Sequence, residues 1–156
     1  MRILVLLLTV LIAAAPATAQ YFDKGFAAGS TSDTGHIFHY DYHDDEWIVD
    51  VDVPLLPEGN YPYDATMRPC PWAEFWVPGA SGDGVLVIDG NGVVTHRIPT
   101  AEYPVSVAFN ETRRIALVPC RDSDMVTVID TETYEVDGYL VVPDTYLGPG
   151  NIVSSI

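Results

Sequence analysis

The chain has 156 residues, and 22 acidic against 7 basic side chains give it a formal charge of −15 at pH 7. Such a surface repels nucleic-acid phosphates and anionic membranes, so neither is an expected partner. Hydrophobic residues make up 48% of the sequence, which is enough for one domain with its own core. The simplest interpretation of the acidity is solubility outside the cell, with calcium or a cationic partner as the alternative.

The N-terminus has the three-part pattern of a secretory signal peptide. Arg2 precedes an apolar run of about a dozen residues, and Ala17-Thr-Ala19 then fits a cleavage site before Gln20. The run is shorter than the roughly 20 apolar residues that span a bilayer, so a membrane anchor is the weaker alternative. The sequence therefore predicts export to the periplasm, the cell surface or the medium, without membrane insertion after cleavage.

Four short apolar runs recur in each of two successive units. In the second unit they are YPVSVAF at 103–109, IALVP at 115–119, MVTVID at 125–130 and EVDGYLVV at 135–142. Pro62 and Pro104 lie 42 residues apart, and Pro149 follows 45 residues later. This period, with four strands per unit and no competing helical periodicity, predicts an all-β fold of β-propeller blades with four antiparallel strands each.

The predicted propeller is incomplete, because rings close with about four to eight blades. The first unit contributes HIFHYD at 36–41 and WIVDVDV at 47–53 as its outer two strands, with residues 21–28 as a partial third. We expect the N-terminal part of a longer protein; the alternative is self-assembly of several copies. The predicted organisation is a signal peptide at 1–19, an N-terminal segment at 20–34 and a partial propeller at 35–156, with blade units at about 35–60, 61–102, 103–146 and 147–156.

The unit at 103–143 resembles the YVTN-type β-propeller repeats of exported bacterial and archaeal proteins. Its inner strand opens with Pro104, its third strand ends in Val128-Ile-Asp130, and a Thr-x-Thr turn follows. Its second strand lacks the Asn of those repeats, and the preceding unit carries an insertion, PCPW at 69–72. The resemblance implies a propeller fold but little about function, since fold does not determine activity.

Two functions are compatible with that resemblance. The favoured one is an exported scaffold or interaction module without a catalytic site, contacting a protein or a cell-surface partner. The alternative is the N-terminal fragment of a propeller enzyme, such as a lactonase-like hydrolase or a quinone-dependent dehydrogenase. The sequence contains no Gly-x-Ser-x-Gly elbow, no haem-attachment motif and no dinucleotide fingerprint, so no catalytic residue and no cofactor-binding residue is assigned.

A metal site is one candidate for chemistry. His39, Asp41 and His43 alternate onto one face if the strand continues, and two imidazoles with a carboxylate suit zinc. The repeat register places them at the turn between two outer strands, where a solvated hairpin is the favoured interpretation. Asp122 and Asp124 are the corresponding calcium candidates, although no EF-hand loop surrounds them. We therefore expect no cofactor, with zinc or calcium as alternatives.

The remaining predictions concern packing. Asp50 and Asp52 are expected to share the solvent face of an edge strand. The register places Cys70 and Cys120 at opposite blade ends, which disfavours an internal disulfide; bridging to sequence outside this chain stays open. Packing between blades is the expected role of seven aromatic residues, with glycan or peptide binding as the alternative. They are Tyr61, Tyr63, Trp72, Phe75, Trp76, Tyr103 and Phe109.

Overall fold

The computed structural model describes residues 24–56, 60–69 and 73–142, and this part of the chain forms three antiparallel sheets. The first contains β1 (Lys24–Gly29), β2 (Thr34–Asp41) and β3 (Glu46–Pro54); the second contains β4 (Thr66–Met67), β5 (Glu74–Gly79), β6 (Gly84–Asp89) and β7 (Val94–Pro99); the third contains β8 (Ala108–Asn110), β9 (Ile115–Cys120), β10 (Met125–Asp130) and β11 (Val136–Val141). Within those ranges there is no helix that could cross a membrane.

The three sheets are the predicted blades, and the all-β fold class is confirmed. In each sheet the strands pair in chain order, so every connection is a hairpin. The partial third strand expected near the N-terminus is β1, which pairs with β2 from Lys24 opposite His39 to Gly29 opposite Thr34. The final predicted unit, residues 147–156, lies outside the described residues.

Aspartates shape the hairpin turns. Asp33, Asp83 and Asp124 occupy equivalent turns between the second and third strands of their blades, with φ of 52°, 48° and 51°. Asp tolerates this left-handed conformation better than most residues. At the opposite end, Asp130 Oδ1 accepts the backbone N–H groups of Glu132 and Thr133 at 2.8 Å each. These two hydrogen bonds stabilise the turn between the third and fourth strands of the third blade.

The hydrophobic core consists of two clusters, one at each interface between neighbouring blades. Alternate residues of β6 point to opposite faces of its sheet, so Leu86 and Ile88 pack towards the first blade while Val85 and Val87 pack towards the third. All four side chains are fully buried. This explains why β6 is a continuous apolar run rather than an alternating one.

One expected feature of the first blade is wrong. A β-bulge between Ile37 and Phe38 leaves Asp50 as an extra residue in β3. Asp52 then bonds His36 at 2.7 Å, whereas Asp50 bonds His39 at 2.8 Å. Because His36 and His39 point to opposite faces of β2, the two aspartates do not share a face.

Candidate functional site

The histidine-rich end of β2 is bonded within its own sheet. His39 Nδ1 lies 2.8 Å from Asp50 Oδ1, and Lys24 Nζ lies 3.4 Å from Asp50 Oδ2. Asp41 Oδ1 accepts the backbone N–H of His43 at 2.7 Å and so stabilises the turn. No group of three His, Cys, Asp or Glu side chains is placed to hold a metal ion among the residues that the structure describes. A metal site at His39, Asp41 and His43 stays a prediction.

A buried arginine connects the second and third blades. Arg68 is 2% exposed and follows β4. Its Nε donates to Glu111 Oε1 at 3.0 Å, and its Nη1 donates to Thr131 O at 2.9 Å and to Glu74 Oε2 at 3.3 Å. Burial acts to lower the pKa of Arg68, but the hydrogen bonds to Glu111 and Glu74 outweigh it and raise the pKa. The guanidinium therefore stays charged inside the interface.

Aromatic side chains extend this network. Glu74 also accepts hydrogen bonds from Trp76 Nε1 at 3.2 Å and from the Tyr134 hydroxyl at 2.5 Å. Burial, followed by the Glu74 carboxylate, raises the pKa of Tyr134 to about 12. His96 stacks on the Tyr134 ring with centroids 3.8 Å apart. Arg68, Trp76 and Tyr134 thus share the Glu74 carboxylate in one hydrogen-bond network.

A second cluster, on the opposite end of the blades, is exposed. We call Tyr61, Tyr63, Tyr103 and Arg121 the tyrosine cluster. The hydroxyls of Tyr63 and Tyr103 lie 3.0 Å apart, and the rings of Tyr61 and Tyr63 meet edge-on with centroids 5.7 Å apart. Arg121 lies over the Tyr103 ring, 3.6 Å from its centroid. The cluster thus presents aromatic rings, the bonded hydroxyls of Tyr63 and Tyr103, and a guanidinium on one surface.

Exposure distinguishes Tyr61 and Tyr63 from the other aromatic residues that were predicted to pack between blades. Phe75 and Trp76 are buried in the two core clusters, as predicted, and Phe109 packs against one of them. Tyr61 and Tyr63 are 41% and 54% exposed, so the prediction of core packing is wrong for both. Trp72 lies outside the described residues.

The backbone accounts for the direction of two tyrosine side chains in the cluster. Tyr61 and Tyr103 have φ of 57° and 62°, and each precedes a proline that forms a β-bridge to the second strand of its blade, Pro62 to Gly79 and Pro104 to Cys120. A left-handed conformation is uncommon for a bulky residue and reverses the direction of its side chain. The Tyr-Pro dipeptide in both units was the available sequence signal.

Electrostatic contacts hold the cluster in place. Arg121 Nε donates to Asp122 Oδ1 at 2.7 Å, which lowers the pKa of Asp122 and raises that of Arg121. The hydrogen bond with Tyr63 raises the pKa of Tyr103, with the nearby Arg121 charge opposing it. The Tyr103 hydroxyl therefore remains protonated near neutral pH. The bond between the two hydroxyls uses one O–H group, which leaves the other able to donate a hydrogen bond to a ligand.

A groove adjoins the tyrosine cluster at the boundary between the first and second blades. It has a volume of about 300 Å³ and is lined by Phe26, Ala27, Ala28 and residues 62–65. Tyr63 belongs both to the groove and to the cluster. A larger cavity of about 420 Å³ lies at the other end of the blades, beside Glu111 and Arg113.

The structure resembles segments of larger proteins. It superposes on hydrazine synthase of Kuenenia stuttgartiensis with a TM-score of 0.66 and 19% identity, covering 78% of this chain and 33% of that one. For a protein of Lactobacillus plantarum the TM-score is 0.62, with 16% identity and coverage of 78% and 39%. For the dihydro-heme d1 dehydrogenase NirN in complex with DHE, the TM-score is 0.60, with 16% identity and coverage of 80% and 27%.

The fold is a partial β-propeller. The neighbours have propeller-type folds, and at these identities the likeness concerns the fold alone. The chain spans between 27% and 39% of the length of these three proteins. No protein-family model matches the sequence, and no curated protein matches it. The closer resemblance to YVTN-type repeats stays a prediction.

Proposed function

We propose that this chain is an exported propeller segment that binds a partner at the cell surface or in the periplasm and catalyses no reaction. The observation that carries the proposal is the exposed tyrosine cluster. Tyr63 and Tyr103 are held by their mutual hydrogen bond at 3.0 Å, yet Tyr63 is 54% exposed. Rigid aromatic rings with polar tips supply large contact area at a low entropy cost, as in many interfaces.

The charge of the cluster also favours partner binding. The chain is strongly acidic, but Arg121 supplies a cation that the Asp122 carboxylate fixes from one side. Tyr103 occupies one face of the guanidinium. A partner that offers hydroxyl or carbonyl groups would meet donors already in place, which lowers the entropy cost of association.

Co-sedimentation with isolated bacterial cell-envelope preparations tests the proposal. The wild-type chain is expected to sediment with envelopes, and Tyr63→Ala is expected to bind about tenfold more weakly, as for an aromatic interface residue. Tyr139→Ala is the matched control, because Tyr139 is 53% exposed but lies on β11, away from the cluster. Equal loss in both variants, or no sedimentation of the wild type, would contradict the proposal.

The alternative function is the N-terminal part of a propeller enzyme. It is supported by the names of two structural neighbours, hydrazine synthase and the dihydro-heme d1 dehydrogenase, which denote enzymes. In such a protein the reacting groups would come largely from blades beyond this chain. Measured turnover of a small substrate by the chain, abolished by a single substitution in its blades, would favour the enzyme over the binding module.

A further inference from the structure

The inner edge of the first blade has no strand beside it within the described ranges. In the second blade, β4 covers the inner edge of β5, with Thr66 opposite Trp76. In the third blade, β8 covers β9, with Ala108 opposite Leu117. The first sheet has the order β1-β2-β3, so β1 is its edge strand. An edge strand offers unpaired N–H and C=O groups that can pair with another chain.

The repeat identifies which backbone groups of β1 face this edge. The strands β1, β5 and β9 end at equivalent positions, before four-residue turns. In the second blade, Glu74 O accepts the backbone N–H of Arg68 at 2.9 Å, so the backbone groups of Glu74 face the inner strand. Every second residue of a strand faces the same neighbour, so those of Trp76 do too. Their equivalents in β1 are Lys24 and Phe26.

The surroundings of this edge suit a small, uncharged strand. The groove of about 300 Å³ runs beside Phe26, Ala27 and Ala28, and its far wall is formed by residues 62–65. Asp64 is the only Asp, Glu, Lys or Arg among the residues that line it. In a chain with a formal charge of −15, an acidic segment would be repelled from this site.

We propose that β1 accepts residues 147–156 of a second copy of this chain as an antiparallel inner strand. That segment, LGPGNIVSSI, contains no charged side chain and carries the third proline of the repeat. Alignment of Pro149 with Pro104 places Val153 at the position of Ala108, which pairs with Leu117. In the first blade, Val153 of the second copy is therefore opposite Phe26.

A second copy is the donor because of the order of the blades. The first and third blades pack on opposite faces of the second, so Val142, the last described residue before this segment, is separated from β1 by the second blade. Pairing in this way adds main-chain hydrogen bonds for affinity, while the groove selects for side chains, as in other cases of β-strand addition.

Fluorescence polarisation with a labelled synthetic peptide of residues 147–156 and the full chain tests the inference. Methylating the amide nitrogen of Val153 removes a donor that faces β1 and is expected to weaken binding about tenfold or more. Methylating Ser154, whose amide faces away from β1, is the matched control and is expected to change affinity by less than about threefold. Excess unlabelled peptide is expected to lower the mass of the full chain in light scattering.

Three results would overturn the inference. The first is no change in polarisation with the native peptide. The second is an equal loss from the two N-methyl peptides, because the effect would then not depend on the edge. The third is equal or tighter binding of a scrambled peptide or of the inner-strand sequence YPYDATM from residues 61–67, because the occupant would then be another segment. None of these readouts uses cell envelopes, so they are independent of the proposed function.

Discussion

Substitution of the buried arginine provides the sharpest test of how the second and third blades are joined. Arg68→Met keeps most of the side-chain length but removes the hydrogen bonds to Glu74, Glu111 and Thr131. Removing one partner of a fully buried ion pair costs about 3–5 kcal/mol, since the other charge stays buried. The carboxylate side chains of Glu74 and Glu111 are 16% and 31% exposed, so water reaches them in part. We therefore expect a loss of about 3 kcal/mol.

Urea unfolding followed by tryptophan fluorescence measures this loss, because Trp76 is fully buried beside the network. The control is Arg114→Met, which breaks the 2.7 Å pair with Glu132 where both side chains are exposed, 64% and 49%. An exposed pair contributes about 0–1 kcal/mol, so the control is expected to unfold close to the wild type.

The reasoning would be refuted if Arg68→Met unfolded within about 1 kcal/mol of the Arg114→Met control. The desolvation of the guanidinium would then cancel its attraction to the two carboxylates, and apolar packing alone would join the blades. Glu111→Gln separates these possibilities further. It keeps the shape of the side chain but replaces one of the two oxygens that accept from Arg68, so a loss of stability in this variant measures the charge together with one hydrogen bond.

Three further predictions concern single positions. Hydrogen bonds from the backbone amides of its turn lower the pKa of Asp130. Its contribution to stability is therefore present above the unfolded pKa of about 3.9 and is lost as the pH falls through the folded pKa. In Asp130→Asn the urea midpoint should depend less on pH in that acidic range. Burial raises the pKa of the Cys120 thiol, so in a Cys70→Ser background Cys120 should react with iodoacetamide only on unfolding, and fast native labelling would contradict its burial. Gly92→Ala should destabilise the chain, because φ is +83° and the new Cβ would lie 2.6 Å from a side chain of β3, whereas Gly138→Ala, with open space around it, should be neutral or stabilising in thermal unfolding.

The strands and hairpins of the second and third blades could be predicted from the sequence. The sequences of β6 and β10 are rich in β-branched residues, and Asp89 and Asp130 at their ends are typical of the turns that follow. By contrast, β1 has the sequence KGFAAG, which carries little strand propensity, and its place depends on pairing with β2. The sequence thus predicts strands whose own residues have high β-propensity, but not a strand that depends on its pairing partner.

The Arg68 network and the direction of the tyrosine side chains were harder to predict, because they depend on long-range contacts and on backbone conformation. Arg68 bonds Glu111 and Thr131, which lie 43 and 63 residues further along the chain. The direction of the Tyr61 and Tyr103 side chains depends on a positive φ, for which the Tyr-Pro dipeptide was the only sequence signal. The bulge at Asp50 similarly places this side chain on the face of β3 opposite to the one that strict alternation predicts.

The two blade interfaces should respond differently to temperature. Between the first and second blades the core cluster is apolar, with Phe26 stacked on Phe75 at 5.3 Å, and hydrophobic association weakens on cooling. Between the second and third, the charged Arg68 network adds to the apolar cluster, and the desolvation penalty of ion pairs falls on heating. On heating, only the interface with the Arg68 network gains from this change, so the first blade is expected to separate before the third, and this order would appear as earlier amide exchange in β2 than in β9.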